Sequence, residues 1–291
     1  MTPRLAVLGA LLAASTLLAA CGHENDDAPV GAEPAVPFPD SLTAYVDQSR
    51  LARIGRDVFV RLVHEGKGTV TVTRAEVTSA RFGAVTWTGE ETFMNEADLP
   101  FEMPAGTCGT GADAEVRLTY RLDDGPEQVS TTTATDRYGA IALLLERDCA
   151  QATFDEAADL TLGEPRVVGG RGRSSYYELP VTITATGDRD DVSFGGFERT
   201  VLFSLRDGSA VWPTTPAVPL TAGTTFRPVL RLVPGRCDPH ALAEDKVGTL
   251  VPLHVEAPGL ADNALFHLPL SDDARATLRR FFATYCDLDV G

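Results

Sequence analysis

Between residues 115 and 122 polar and apolar side chains alternate strictly: Val116, Leu118, Tyr120 and Leu122 interleave with Glu115, Arg117, Thr119 and Arg121. A period of two sends the apolar set to one face and the charged set to the other, which predicts a half-buried β-strand. Asp123-Asp124-Gly125 supplies a tight turn, and Val129–Thr133 a returning strand. Upstream, Val58–Val63 and Thr69–Val77 are rich in β-branched residues and predict a hairpin across Gly66-Lys67-Gly68, with a third strand over Phe82–Trp87. The period then changes. Tyr138, Ile141, Ala142 and Leu145 fall at i, i+3, i+4 and i+7, which predicts a helix running to Cys149, with Asp136 placed to cap it; Gly139 weakens that reading, and a strand over Ala140–Leu145 is the alternative.

The same succession recurs downstream. Leu179–Ala185 and Thr200–Leu205 predict strands. Val251, Leu253 and Val255 alternate with Pro252, His254 and Glu256. Ser271-Asp272-Asp273 opens a second helix with a stripe of Leu278, Phe281, Phe282 and Tyr285; Ser271 is a natural N-cap, and the two Asp stand where the helix dipole favours anions. Each copy carries a Trp (Trp87, Trp212) upstream of a Gly-x-Cys (Gly106-Thr107-Cys108, Gly235-Arg236-Cys237) and closes on a second Cys (Cys149, Cys286). Matching positions in both copies favour packing roles for the two Trp. A Trp beside a disulfide resembles the immunoglobulin-like pattern, although here the second Cys follows a helix and not a strand. The expected architecture is mainly β: two tandem immunoglobulin-like β-sandwich domains over residues 45–157 and 158–291, each with one short helix near its C-terminal end and one intradomain disulfide.

The first 44 residues follow a different plan. Met1–Arg4 is a short positive region, Leu5–Leu17 an apolar run, and Leu18-Ala19-Ala20-Cys21 resembles the lipobox of bacterial lipoproteins. The resemblance implies removal of residues 1–20 as a signal peptide and lipidation of Cys21 with diacylglycerol and palmitate. It also implies anchorage on the extracytoplasmic face of a bacterial cell membrane. The apolar stretch from Leu5 to Ala20, 16 residues, falls short of the ~20 that a spanning helix needs. Residues 21–44 hold Pro29, Pro34, Pro37 and Pro39 among Glu24, Asp26, Asp27 and Glu33, with no apolar period, and are expected to form a lipidated, extended tether. Beyond the lipobox, the duplicated pattern resembles other bacterial lipoproteins and implies no activity.

Export changes the meaning of the remaining cysteines. Four Cys allow three pairings, and the repeat selects Cys108–Cys149 with Cys237–Cys286. Each would close a loop of about 40–50 residues, worth up to about 4 kcal/mol in the chain-entropy account. A net charge of −16 disfavours phosphate backbones and anionic lipid headgroups, so no nucleic-acid partner is expected.

Candidate chemistry is sparse. His240 and Glu244, after Cys237-Asp238-Pro239, stand one turn apart if they are helical and are the candidate pair of metal ligands, with His254 and His267 as possible additions. Asp188-Arg189-Asp190-Asp191 reads as an acidic turn, since it lacks the calcium-loop spacing. No Gly-x-Ser-x-Gly elbow and no P-loop occur. The sequence therefore points to a lipid-anchored extracytoplasmic binding or scaffolding protein of the bacterial cell envelope, not an enzyme and without a cofactor. Its partners would be the membrane, through the anchor, and an envelope protein or polymer. The alternative is a metal- or small-solute-binding lipoprotein that uses the His240/Glu244 region and a divalent metal. A third reading is an envelope enzyme with an unrecognised site.

Overall fold

The computed structural model describes residues 36–50, 52–53, 55–170, 172–243 and 247–288. The leader, Cys21, most of the expected tether and Glu244 lie outside these residues. Two tandem β-sandwiches account for most of the rest. The first is built from β1 (Leu42–Asp47), β2 (Asp57–His64), β3 (Val70–Ser79), β4 (Gly83–Phe93), β5 (Glu96–Glu102), β6 (Ala114–Leu122) and β7 (Gln128–Ala134). Its two antiparallel sheets, ordered β1-β2-β5 and β4-β3-β6-β7, share one core that includes Val60, Leu62, Val72, Leu118 and Tyr120. β1 begins inside the stretch expected as tether.

The alternation in β6 does what its period dictates: Val116, Leu118 and Tyr120 are buried, while Glu115 and Arg117 are exposed. Tyr120 brings a polar end into the core and satisfies it on Ser130 Oγ at 3.1 Å; Ser130 Oγ in turn donates to the Val36 carbonyl at 2.8 Å. The expected hairpin over residues 58–77 does not form. β2 pairs with β1 and β5, whereas β3 pairs with β4 and β6, so Gly66-Lys67-Gly68 carries the chain from one sheet to the other. Gly68, at φ 95°, sits against the Asp123 carboxylate, where a Cβ would fall 2.3 Å from Oδ1.

The second sandwich comprises β8 (Ala158–Leu162), β9 (Arg166–Val168), β10 (Tyr176–Ala185), β11 (Ser193–Phe197), β12 (Phe203–Leu205), β13 (Val218–Pro219), β14 (Thr225–Phe226), β15 (Val229–Pro234), β16 (Pro252–Glu256) and β17 (Leu265–His267). One sheet runs β12-β15-β10-β14, with β8 and β9 also paired to the central β10; the other runs β13-β11-β16-β17. Phe194, Phe197, Phe203, Leu230 and Phe282 lie at the centre of its core.

Three α-helices complete the described body: α1 (Ala140–Ala157), α2 (Pro239–Ala243) and α3 (Asp272–Cys286). α1 starts without a side-chain cap at Gly139, but the Asp136 carboxylate accepts from the amides of Ile141 and Ala142 at 3.2 and 2.7 Å. α3 is capped by Ser271 Oγ, which accepts from the Ala274 amide at 3.2 Å. The disulfides are Cys108–Cys149 and Cys237–Cys286, one per sandwich. They do not pin both helices at their ends: Cys286 closes α3, whereas α1 runs on beyond Cys149 to Ala157.

That extension is structural. Ile141, Leu144 and Leu145 enter the first core, while Phe154 and Ala157 enter the second. Next to the disulfide, Asp148 takes a bidentate pair from Arg56 (2.8 and 2.8 Å) and the Gly106 amide (2.8 Å), while Arg56 Nε donates to the Met103 carbonyl at 2.6 Å. These bonds tie α1 to the loop that carries Cys108. Both cores and both disulfides fall within residues 36–288, so this body holds by itself the interactions it needs to fold.

Candidate functional site

The face of α1 that carries Ala140, Leu143 and Arg147 (i, i+3, i+7) is not the one that buries Ile141 and Leu145. It walls a cavity of about 340 Å³ between the two sandwiches. The loop after β1 contributes Gln48 and Arg53. From the second sandwich come Glu198–Val201, which follow β11, and the stretch at Asn263–Leu265 with His267. Val247, Leu250 and Pro252 add apolar wall. Leu143 and Val201 are 55 % and 63 % exposed, so the rim as well as the wall is apolar. A concave, mainly apolar cavity with a few convergent polar groups is the usual form of a small-ligand site.

The polar groups are unequal. Arg53, Arg199 and Glu146 are exposed, whereas Arg147 and His267 are half-buried. Arg147 Nε donates to the Leu143 carbonyl at 3.1 Å, and its Nη1 lies 3.4 Å from His267 Nδ1. No carboxylate among the described residues is within ion-pair distance of Arg147. Burial pushes its guanidinium below the ordinary value; Asp148 opposes this, and Arg53 and Arg56 push the same way as burial. His267 is pushed down to about 4 by burial and by the charges of Arg147 and Arg275. It is neutral at physiological pH. With Nδ1 facing a permanent donor, its proton rests on Nε2, and that N–H has no partner among the described residues.

Glu198 is held from behind. His254, 2 % exposed, stacks on Trp212 with ring centroids 4.0 Å apart and planes 11° from parallel, and its Nε2 lies 3.0 Å from Glu198 Oε2. His254 Nδ1 is buried without a partner. Trp212 is thus half-buried against a histidine, and Trp87 is half-buried on β4 against the first core.

The sequence candidates are scattered by comparison. His240 lies in α2, where its amide donates to Asp238 Oδ1 at 2.9 Å, and Glu244 is outside the described residues. The two further candidate ligands are engaged elsewhere, His254 with Glu198 and His267 with Arg147. Among the described residues no three His, Cys, Asp or Glu are grouped to share an ion. In the acidic turn, Arg189 bonds to Asp191 at 2.9 Å and to Glu156 at 3.1 Å. Sequence reasoning missed Arg147, Glu198 and the cavity. The available signal was the second stripe on α1, Ala140-Leu143-Arg147, beside the one that defined the helix.

Neither a protein-family model nor a curated protein sequence matches the chain. Among solved structures it is similar to an exo-chitosanase, CsxA, of Amycolatopsis orientalis in complex with PNP-β-D-glucosamine, at 11 % identity over 78 % of this chain and 26 % of that one, with TM-score 0.21. It is also similar to red sea bream transglutaminase, at 12 % identity over 79 % of this chain and 32 % of that one, with TM-score 0.19. The chain thus spans about a quarter to a third of these proteins' length, and at such scores the likeness supports no functional argument.

Proposed function

We propose that this protein is a lipid-anchored, extracytoplasmic binding protein of a bacterial envelope, and that the cavity between its sandwiches holds a small solute. The observation that carries this reading is the cavity itself: about 340 Å³, at the lower end of the range for ligand sites, with an apolar wall and an apolar rim. The anchor rests on Leu18-Ala19-Ala20-Cys21. A metal at His240 and Glu244 has less support, because α2 brings no third ligand to His240 among the described residues.

The test uses the folded body, residues 35–291, exported so that both disulfides form, and titrated with the neutral fluorophore N-phenyl-1-naphthylamine. Saturable one-to-one enhancement is expected, and Ala264→Trp, which fills the wall, should remove it without lowering the melting temperature by more than a few degrees. A linear, unsaturable signal that ignores Ala264→Trp refutes the site. For the anchor, labelled palmitate should enter the full chain and fail to enter Cys21→Ser.

A further inference from the structure

We propose that the solute is an organic anion of single negative charge with an apolar body, and that Arg147 receives its charged end. This rests on the cavity being the binding site. Arg147 is a half-buried guanidinium whose hydrogen bonds among the described residues go to a carbonyl and to a neutral imidazole, neither of which carries a compensating charge. A cation withdrawn from water is normally paired with a carboxylate or another anion, and here the chain supplies none among the described residues. Elsewhere in the same body the 4 % exposed Glu178 lies between Arg166 and Arg231, and Arg56 takes Asp148, while the 8 % exposed Arg81 has no carboxylate among the described residues and donates instead to the carbonyls of Thr107 and Gly111. Arg147 differs from Arg81 in lining a cavity, where a bound solute can supply the missing charge.

The neighbouring groups agree. His267, whose Nε2–H has no partner among the described residues, lines the same cavity. Of the two carboxylates in the lining, Glu198 is engaged by His254 and Glu146 is exposed at the surface. Among the described lining residues three arginines stand against two glutamates, one net positive charge on a chain whose formal charge is −16. That local inversion of sign favours one negative charge and no more. Leu143, Val201, Leu250 and Leu265 supply the surface for an apolar body. The planar fork of Arg147 suits a carboxylate, which it can bind through two parallel N–H donors.

The experiment measures three probes of matched length, octanoate, 1-octanol and octylamine, by calorimetry on residues 35–291 at pH 7.5 and low salt. Octanoate is expected to bind at least tenfold more tightly than 1-octanol, with octylamine weakest. Arg147→Gln should bring octanoate down to the octanol value and leave octanol itself unchanged. Arg147→Lys, which keeps the charge but not the fork, should retain part of the preference. Equal affinity for octanoate and octanol, or a preference for octylamine, overturns the anion inference while the cavity reading stands. Failure of all three probes to saturate overturns both. The ranking on the unaltered body decides the matter even if an Arg147 variant folds poorly.

Discussion

α1 and α3 each carry the second cysteine of a sandwich's disulfide, yet they do different work. α3 is a local element. Its cap, its buried stripe and its disulfide serve one core, and Leu278, Phe281 and Phe282 all pack into the second sandwich. α1 begins as the same element, with Ile141 and Leu145 in the places of Leu278 and Phe282, but it runs on past its cysteine and delivers Phe154 and Ala157 to the other core. A helix that serves two cores must also cross the space between them, and its free face there becomes a wall. The candidate site thus lies along α1, whose extension past its cysteine has no counterpart in α3.

The largest expected effect is at Phe154. If the extension of α1 is structural, Phe154→Ala should cost about 3–5 kcal/mol, as for other fully buried aromatics, although the residue lies beyond the disulfide that tethers the helix. Urea denaturation measures it, and a loss below about 1 kcal/mol would make the extension an ornament.

A smaller effect is expected at His267, which lies 3.4 Å from Arg147 of α1 and feels the charge of Arg275 of α3. The unfolded chain protonates His267 near pH 6.5, whereas the folded chain holds it neutral to about pH 4. The native state is therefore favoured in full above pH 6.5 and loses stability as pH falls from there toward 4, by up to about 3 kcal/mol. Urea midpoints for the unaltered body and His267→Asn should converge as the pH is lowered through this window. Parallel profiles would mean that the histidine is not held neutral.

The smallest effect concerns the caps. Ser271→Ala removes one acceptor and should cost about 1 kcal/mol; Asp136→Ala removes an acceptor of two amides and a charge at the helix start, and should cost somewhat more, up to about 2 kcal/mol. Thermal melts of the two variants rank them, and a silent Asp136→Ala would show that α1 is held by its two cores alone.

Where order is local, the residues announce it. The strict alternation of β6 and the Ser271-Asp272-Asp273 start of α3 each need only nearby positions to be read, and both appear where the pattern puts them. The disulfide pairing followed from the repeat. Gly66-Lys67-Gly68 was misleading, because glycines around a turn allow a reversal without saying whether the next strand joins the same sheet or the opposite one; that choice is made by β4 and β6, which sandwich β3. The end of α1 was misread because the cysteine looked like a terminus, while the helix stops at Ala158, whose extended backbone begins β8. The site was least legible of all. Arg147 and His267 are 120 positions apart, and a lone arginine on a helix is ordinary until the fold withholds its counter-charge.

The double allegiance of α1 also bears on how the molecule comes apart. Unfolding either sandwich would strip one end of the helix of its packing and expose apolar surface at the other's boundary, so neither half can melt without cost to its neighbour. A chain that looks like two modules in tandem is thereby given the cooperativity of one, and a solute in the cavity, touching both, would tighten that coupling in proportion to its occupancy.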